Sequence, residues 1–358
     1  MALHPTGEPG PYPAEVRHRI RRDHRPDYEY MACSLNECGV NAVSLQYEAD
    51  LWGGDGAWVL DFARALTVPM VATLHNIPAH PTPAQRETIL ELTELANITV
   101  VMSRYGADRL AGAYGVPAGR VEIVPHGVAD LPLMSPDTIK PRLGLRDKEV
   151  ILSCGLLAPR KGFESMIEAM PAVIAASPRA RYIILGAASL VGAEAANEAY
   201  RASLEALVTA LGLTEHVKFV DRFVGRVELG SWLEAADVFV APGLDLDRSE
   251  SGTLAYAMGA GKAIVSTSSG YAAEMLADGR GMIVPPASHD VLADTVSTLL
   301  ADAGTRDSMG RRAYEATRGM VWWEIGRQYR QVLERAAMSG HGRPARDRAG
   351  RRPAAAVV

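Results

Sequence analysis

Cysteine is scarce. The 358-residue chain has three, Cys33, Cys38 and Cys154, an odd number without metal-ligand spacing, which argues against a disulfide framework and fits reduced thiols in a cytoplasmic protein. Long apolar runs are missing too. No stretch approaches the roughly 18 residues that a membrane span needs, and the first residues carry charge and proline where a secretion signal would carry an apolar core. Positive charge is not in excess: 37 Lys and Arg against 42 Asp and Glu give a net charge of -5, so no global basic field invites nucleic acid. Internal repeats and heptads are absent. What remains is an ordinary globular composition, 48% apolar and 22% charged, at a length that suits about two domains.

Residues 1–13 are rich in Pro and Gly and are expected to be disordered; 15–23 form a short basic segment and 27–38 have helical spacing, and none of this reads as a buried first strand. From Val40 the pattern changes. VNAVSLQYE predicts a strand, 53–66 a helix opened by GGDG, PMVATLH a strand and 82–96 a helix with Pro83 in its first turn. ITVVMS predicts a strand, 104–114 a helix closed by Gly115, and RVEIVP a strand running to His126 and Gly127. Pro132, Pro136 and Pro141 then interrupt both periodicities, so 130–145 reads as an interdomain linker.

A second alternation follows. EVILSCGLL, ARYIILGA, VKFVD, DVFVAP, AIVST and GMIVPP read as strands, with helices at 162–176, 200–211, 229–235, after 251, and at 272–276, 291–300, 305–316 and 323–337. Strands alternating with helices imply parallel sheets of right-handed crossovers. The expected class is α/β, with two doubly wound Rossmann-like domains facing a cleft. Their bounds are 14–140 and 145–320, followed by a helix at 321–338 and a basic, disordered tail at 339–358.

In such folds ligands sit at the carboxyl ends of the strands. LHNIP puts His75 at one of them, PHGVAD puts His126 at another, GLLAPRKGF puts Arg160 and Lys161 at a third, and DVFVAP leads into SGTLAYAMGAGKAIVS at 251–266. That last stretch is a polar loop, a helix and a strand in immediate succession. Ser251, Gly252 and Thr253 set hydroxyls and a relaxed backbone at a helix start, where free amides and the helix dipole favour phosphate oxygens. An ordinary N-cap would use the same residues. Ser103 and Arg104 likewise begin a helix and would serve as caps. Asp245 and Asp247 have Asp-x-Asp spacing but read as a solvated loop beside Arg248, so no metal is expected. GGDG at 53–56 is weak evidence of phosphate binding.

Together these motifs resemble the GT-B glycosyltransferases of family four, retaining enzymes that use nucleotide-sugar donors. The resemblance rests on YGVPAGRVEIVPHGV at 114–128, GLLAPRKGF at 155–163, AADVFVAP at 235–242, SGTLAYAMGAGKAIVST at 251–267 and ADGRGMIVPP at 277–286, and it covers about 16–333. It implies a donor held by the carboxy-terminal domain, an acceptor held by the amino-terminal one, and a last helix that crosses back. Lys161 matches the family lysine that reaches the donor diphosphate; a surface lysine is the alternative. The arginine that commonly follows the motif's glycine is Leu156 here, and Arg160 could substitute. His75 matches the histidine at the donor and acceptor junction, while His126 with Gly127, and Ser103, would line the cleft.

Two glutamates of the family, separated by seven residues around the phosphate loop, are not in place. Tyr256 stands at the second position and Arg248 at the first, which leaves Glu250 as the nearest carboxylate for the sugar contact. The implied site is therefore His75 and Glu250 as catalytic groups, with Arg160, Lys161, Ser251, Gly252, Thr253, Leu254 and Tyr256 binding the donor. Tyr256 could reach a ribose or simply pack against the sheet. Family members also open with a strand, a glycine-rich loop and a helix that this chain lacks, so the first domain is expected to be incomplete, with an oligomer or partner subunit covering it. The implied activity is retaining transfer of a hexose-type sugar from a nucleoside diphosphate to an acceptor hydroxyl, without a cofactor. The alternative is a catalytically impaired sugar-nucleotide-binding or assembly subunit. A cytoplasmic location is expected, and peripheral membrane association is common in the family.

Overall fold

The structure is a computed structural model and describes residues 1–4, 12–187 and 194–339. It divides into two compact units. The first comprises Met1–Met102, Gly106–Val124 and the chain from Arg327; the second comprises Ser103–Tyr105 and Pro125–Gly326.

The first unit opens with β1 (Ala2–His4) and β2 (Arg19–Arg21), which pair in parallel, and α1 (Pro26–Glu37). The sequence predicts disorder over 1–13, yet Ala2–His4 is ordered by this ladder, and Ile20 on β2 is fully buried. Residues 5–11 of that prediction lie outside the described residues. Then come β3 (Val43–Tyr47), α2 (Val59–Ala65), β4 (Met70–Leu74), α3 (Pro83–Leu95), β5 (Ile98–Val101), α4 (Arg104–Tyr114) and β6 (Val121–Ile123). The four strands β3 to β6 form a parallel sheet in sequence order. Every residue of β4 is buried, as a central parallel strand requires, whereas β3 alternates buried and exposed. The start of α3 is fixed by a capping box between Thr82 and Gln85 together with Pro83. Helix α2 begins later than predicted because Gly54, Asp55 and Gly56 all have positive φ, which a right-handed helix cannot contain.

The second unit holds β7 (Glu149–Cys154), α5 (Phe163–Ala176), β8 (Ala180–Leu185), α6 (Glu194–Ala210), β9 (Val217–Val220), α7 (Arg226–Ala235) and β10 (Val238–Ala241). After these come α8 (Gly252–Gly259), β11 (Ala263–Thr267), α9 (Gly270–Met275), β12 (Met282–Val284), α10 (His289–Ala301), α11 (Ala303–Ala316) and α12 (Trp322–Ser339). Its parallel sheet runs β12-β11-β10-β7-β8-β9, so the winding reverses between β7 and β10. Two apolar clusters cover its faces, one around Met166, Ile167 and Val296 and the other around Phe239, Leu254 and Tyr271.

The stretch at 130–145, predicted as a linker, is built into this unit. Lys140 and Asp237 are almost fully buried and pair at 2.9 Å, and the Asp237 carboxylate also accepts from the Val150 amide at 2.6 Å, so the segment is pinned to the starts of β7 and β10. The chain therefore leaves the first unit at Val124 rather than near residue 140. Helix α12 is divided as well: from Arg327 it belongs to the first unit, with Tyr329 bonded to Thr73 and Arg335 paired with Glu122. The predicted tail lies outside the described residues after Ser339. No helix among the described residues is long and apolar enough to cross a membrane.

A second buried lysine closes the turn after α8. Lys262 Nζ donates to the carbonyls of Glu234 and Ala236 at 3.1 and 3.4 Å, and burial lowers its pKa to about 8. The unfolded chain then binds the extra proton between about pH 8 and the ordinary lysine value, so stability rises with pH across that window. Relative to Lys262→Met, the wild-type unfolding free energy should climb by up to about 3 kcal/mol from pH 8 to pH 10 or above; urea titrations at each pH measure it, and parallel curves would refute it. Replacing Lys140 by Ala leaves the Asp237 carboxylate buried and should cost about 3 kcal/mol in the same assay.

Candidate functional site

The site forms where the winding of the second sheet reverses. Beyond β7 the backbone makes a contact that no side chain could tolerate: a Cβ on Gly186 would lie 1.9 Å from the Gly155 oxygen. A 3₁₀ turn over Pro159–Lys161 then ends at Gly162, whose φ of 62° suits glycine and where a Cβ would sit 2.2 Å from the Pro242 oxygen. The Leu244 amide donates to the Arg160 carbonyl at 2.9 Å. The loops after β7 and β10 are thus tied backbone to backbone. This folds the Lys161 side chain over Gly155, with Nζ 3.3 Å from where a Cβ on that glycine would be. Among the described residues the ammonium has no ion-pair or hydrogen-bond partner. Burial holds its pKa below the ordinary lysine value, Arg160 and Arg248 push the same way, and Cys154 and Glu250 oppose them.

Across from Lys161 stands the start of α8. Ser251 is its N-cap, and its Oγ accepts from the Leu254 amide at 3.4 Å and lies 3.3 Å from Thr253 Oγ1. The next amides, Gly252 and Thr253, have no helical carbonyl to bond and carry the positive end of the dipole. The approach to the helix is fixed by two bonds: Ser103 Oγ, buried, donates to the Ser249 carbonyl at 2.9 Å, and Arg248 Nη2 donates to Glu250 Oε1 at 2.8 Å. At the end of β11, Thr267 Oγ1 donates to the Gly243 carbonyl at 2.5 Å, and Ser269 caps α9. These elements line a cleft that carries three cations, two carboxylates and several hydroxyls. Cations beside free helix amides can bind an anion through charge-assisted hydrogen bonds.

Of the residues picked out from sequence, Arg160, Lys161, Glu250, Ser251, Thr253 and Leu254 line this cleft. Gly252 adjoins it and faces His126, whose Nε2 lies 2.7 Å from where a Cβ on Gly252 would be. His126 Nδ1 donates to the Gly127 carbonyl at 2.8 Å, and the ring packs edge-on against Tyr256 and Trp322. Tyr256 is half-buried beside the cluster of Val128, Ala255, Met320 and Val321 and does not line the cleft; it takes the packing role of its two alternatives. Ser103 shapes the loop from behind. His75 belongs to the first unit, at the end of β4, with Nε2 2.8 Å from Gln46 Oε1. Sequence reasoning missed Ser266, Thr267 and Ser269 as lining groups, although the hydroxyl run that ends β11 was the available signal. It also set Asp245 aside as a solvated residue, yet Asp245 is at the cleft.

A family model described as Glycosyl transferases group 1 matches residues 136–316, and one described as Glycosyltransferase Family 4 matches residues 39–130. The D-inositol 3-phosphate glycosyltransferase of Xylanimonas cellulosilytica is 30% identical over 319 residues, 82% of this chain and 71% of that protein. The GDP-mannose-dependent alpha-(1-6)-phosphatidylinositol monomannoside mannosyltransferase of Mycolicibacterium smegmatis is 30% identical over 247 residues, 66% of this chain but only 61% of the relative's length. Among solved structures, Anabaena HepE in complex with UDP matches with a TM-score of 0.71 at 20% identity, over 87% of this chain and 82% of that one. The sucrose-phosphate synthase of Thermosynechococcus elongatus matches with a TM-score of 0.73 at 20% identity, over 88% and 78%. These neighbours share the GT-B fold expected from the sequence. With a model that matches half of its length and a relative at 30% identity over most of both chains, this protein belongs to the glycosyl transferases group 1 family.

Proposed function

We propose that the protein transfers a hexose-type sugar from a nucleoside-diphosphate donor to an acceptor hydroxyl, with retention at the anomeric carbon. The observation that carries this reading is Lys161, a half-buried, desolvated ammonium without a partner among the described residues, set at the same cleft as the free amides of α8. A diphosphate supplies the missing counter-charge: its oxygens accept from Lys161 and from the Gly252 and Thr253 amides. The charge that builds on the departing nucleotide is stabilised there, with Arg160 adding to it. In retaining front-face displacement the departing phosphate oxygen takes the acceptor proton as the new glycosidic bond forms, so no covalent enzyme intermediate is needed. Glu250, held by Arg248, hydrogen-bonds a hydroxyl of the transferred sugar. His75 hydrogen-bonds a substrate hydroxyl on the acceptor side. Because lysine and arginine meet the diphosphate charge, this reading needs no metal.

The relatives' names suggest where to look first. GDP-mannose is the donor named for the mycolicibacterial relative, and UDP is the nucleotide in the HepE complex. Both curated relatives carry an inositol-containing acceptor in their names, which makes inositol phosphates and phosphoinositide glycolipids the first acceptors to try. Incubated with GDP-mannose or UDP-glucose and such acceptors, the protein should form a glycoside of the donor's own α configuration, read by NMR, at a rate that survives EDTA. A β product, or hydrolysis without transfer to any acceptor in the panel, would sink the proposal. Lys161→Ala should lower kcat by roughly 10²–10³-fold. Its melting temperature should hold, since no native partner is lost; activity within a few-fold of wild type would remove Lys161 from the mechanism.

A further inference from the structure

The first unit carries a chain of hydrogen bonds that the donor cleft does not use. The register of β3 on β4 sets Gln46 beside Thr73, and Ser44 lies two residues back on the same face of β3. Gln46 Nε2 donates to Ser44 Oγ at 3.0 Å and to Thr73 Oγ1 at 3.3 Å. Thr73 is fully buried, and its Oγ1 lies 3.1 Å from the hydroxyl of Tyr329 on α12. Burial holds the Tyr329 phenol above its ordinary pKa, so it keeps its hydrogen. With its amide hydrogens spent on hydroxyls, Gln46 turns its carbonyl oxygen to His75, 2.8 Å from Nε2. A carbonyl oxygen only accepts, so Nε2 must carry a hydrogen. In the neutral ring the lone pair then resides on Nδ1. The His75 backbone is fixed as well, its amide donating to the Tyr47 carbonyl at 2.9 Å.

The geometry points to Tyr329, Thr73 and Gln46 as positioning residues that hold His75 in its Nε2-protonated form. Their importance for transfer rests on the reading of His75 as a substrate-contacting group, whereas the tautomer does not. The reversed amide would set its NH₂ group against the ring and demand the opposite tautomer, so the two arrangements are separable by experiment. The relay also gives a residue far along the chain, on the last helix, a say in the state of a strand-end histidine: Tyr329 and Thr73 are 256 positions apart.

Two-bond ¹H–¹⁵N correlation spectra of protein labelled at histidine read the tautomer directly, with His75 assigned by the signal lost in His75→Gln. Wild type should show a single Nε2-protonated His75. Thr73→Val and Tyr329→Phe should move its two nitrogen shifts toward an average of both tautomers, and Thr73→Ser, which keeps the hydroxyl, should restore the wild-type pattern. In the transfer assay Thr73→Val should lower kcat about fivefold, the equivalent of one neutral hydrogen bond, without changing the donor KM. An Nδ1-protonated His75 in the wild type, or identical spectra in wild type and in the Val, Phe and Ser variants, overturns the relay. If the spectra behave as expected while His75→Gln transfers sugar normally, the relay stands and only the assignment of His75 to the reaction falls.

Discussion

The second unit depends on backbone touching backbone at the carboxyl end of its sheet. Gly186 meets the Gly155 carbonyl and Gly162 meets the Pro242 carbonyl at distances that exclude any Cβ, and a single added methyl at either would push strands or loops apart. Such contacts leave the loops after β7 and β10 almost no freedom, because main-chain atoms cannot change rotamer to make room. Rigidity here has an energetic consequence. Lys161 is delivered to a partly dehydrated position whose nearest charges are largely cations, and its lowered pKa records the cost. An anion that enters relieves this cost, so free energy withheld from folding becomes available to binding and, as charge builds on a leaving group, to catalysis.

The carboxylates of the cleft are arranged differently. Glu250 is bound to Arg248 two residues earlier in the same loop, and the carbonyl between them is held by Ser103. A carboxylate tied to a neighbouring guanidinium keeps its orientation, yet one of its oxygens remains available for a hydroxyl donor. The pair therefore provides a fixed acceptor where the family pattern leads one to look for glutamates at Arg248 and Tyr256. Tyr256 itself has moved into packing, filling the space between His126 and the Val128 cluster.

Most of the fold was legible because its elements announce themselves locally. The all-buried β4, the Thr82–Gln85 cap and the hydroxyl loop before α8 all carry their signal within a few residues. What failed was information held at a distance. Three prolines made 130–145 look like a linker, but its place is decided by Lys140 pairing with Asp237, almost a hundred residues away, which no local periodicity encodes. The order of Ala2–His4 likewise comes from a partner strand, and the late start of α2 from backbone angles at an Asp that composition does not reveal. In the site, Lys161 and Ser251 were legible from the strand-loop-helix motif, while the packing of Tyr256 and the cleft position of Asp245 arise only when several loops converge.

Three of the second unit's lysines, Lys140, Lys161 and Lys262, sharpen the functional argument beyond what any one of them supports. Lys140 and Lys262 are nearly inaccessible, and both are satisfied: one by the Asp237 carboxylate, the other by two carbonyls at the end of α7. Both belong to the amino end of the sheet, where Asp237 and Val150 begin their strands. Lys161 stands at the carboxyl end, is also desolvated, and has no partner among the described residues. A fold that provides a counter-charge or acceptors for two buried ammonium groups and, among the described residues, none for a half-buried third at the crevice where doubly wound sheets bind ligands leaves that third group to be completed by something that comes from outside. A partly desolvated ammonium with no partner among the described residues carries a cost that an anion would relieve, and the free amides of α8 at the same cleft favour a partner that accepts hydrogen bonds as well as carrying negative charge. A phosphate group satisfies both demands at once.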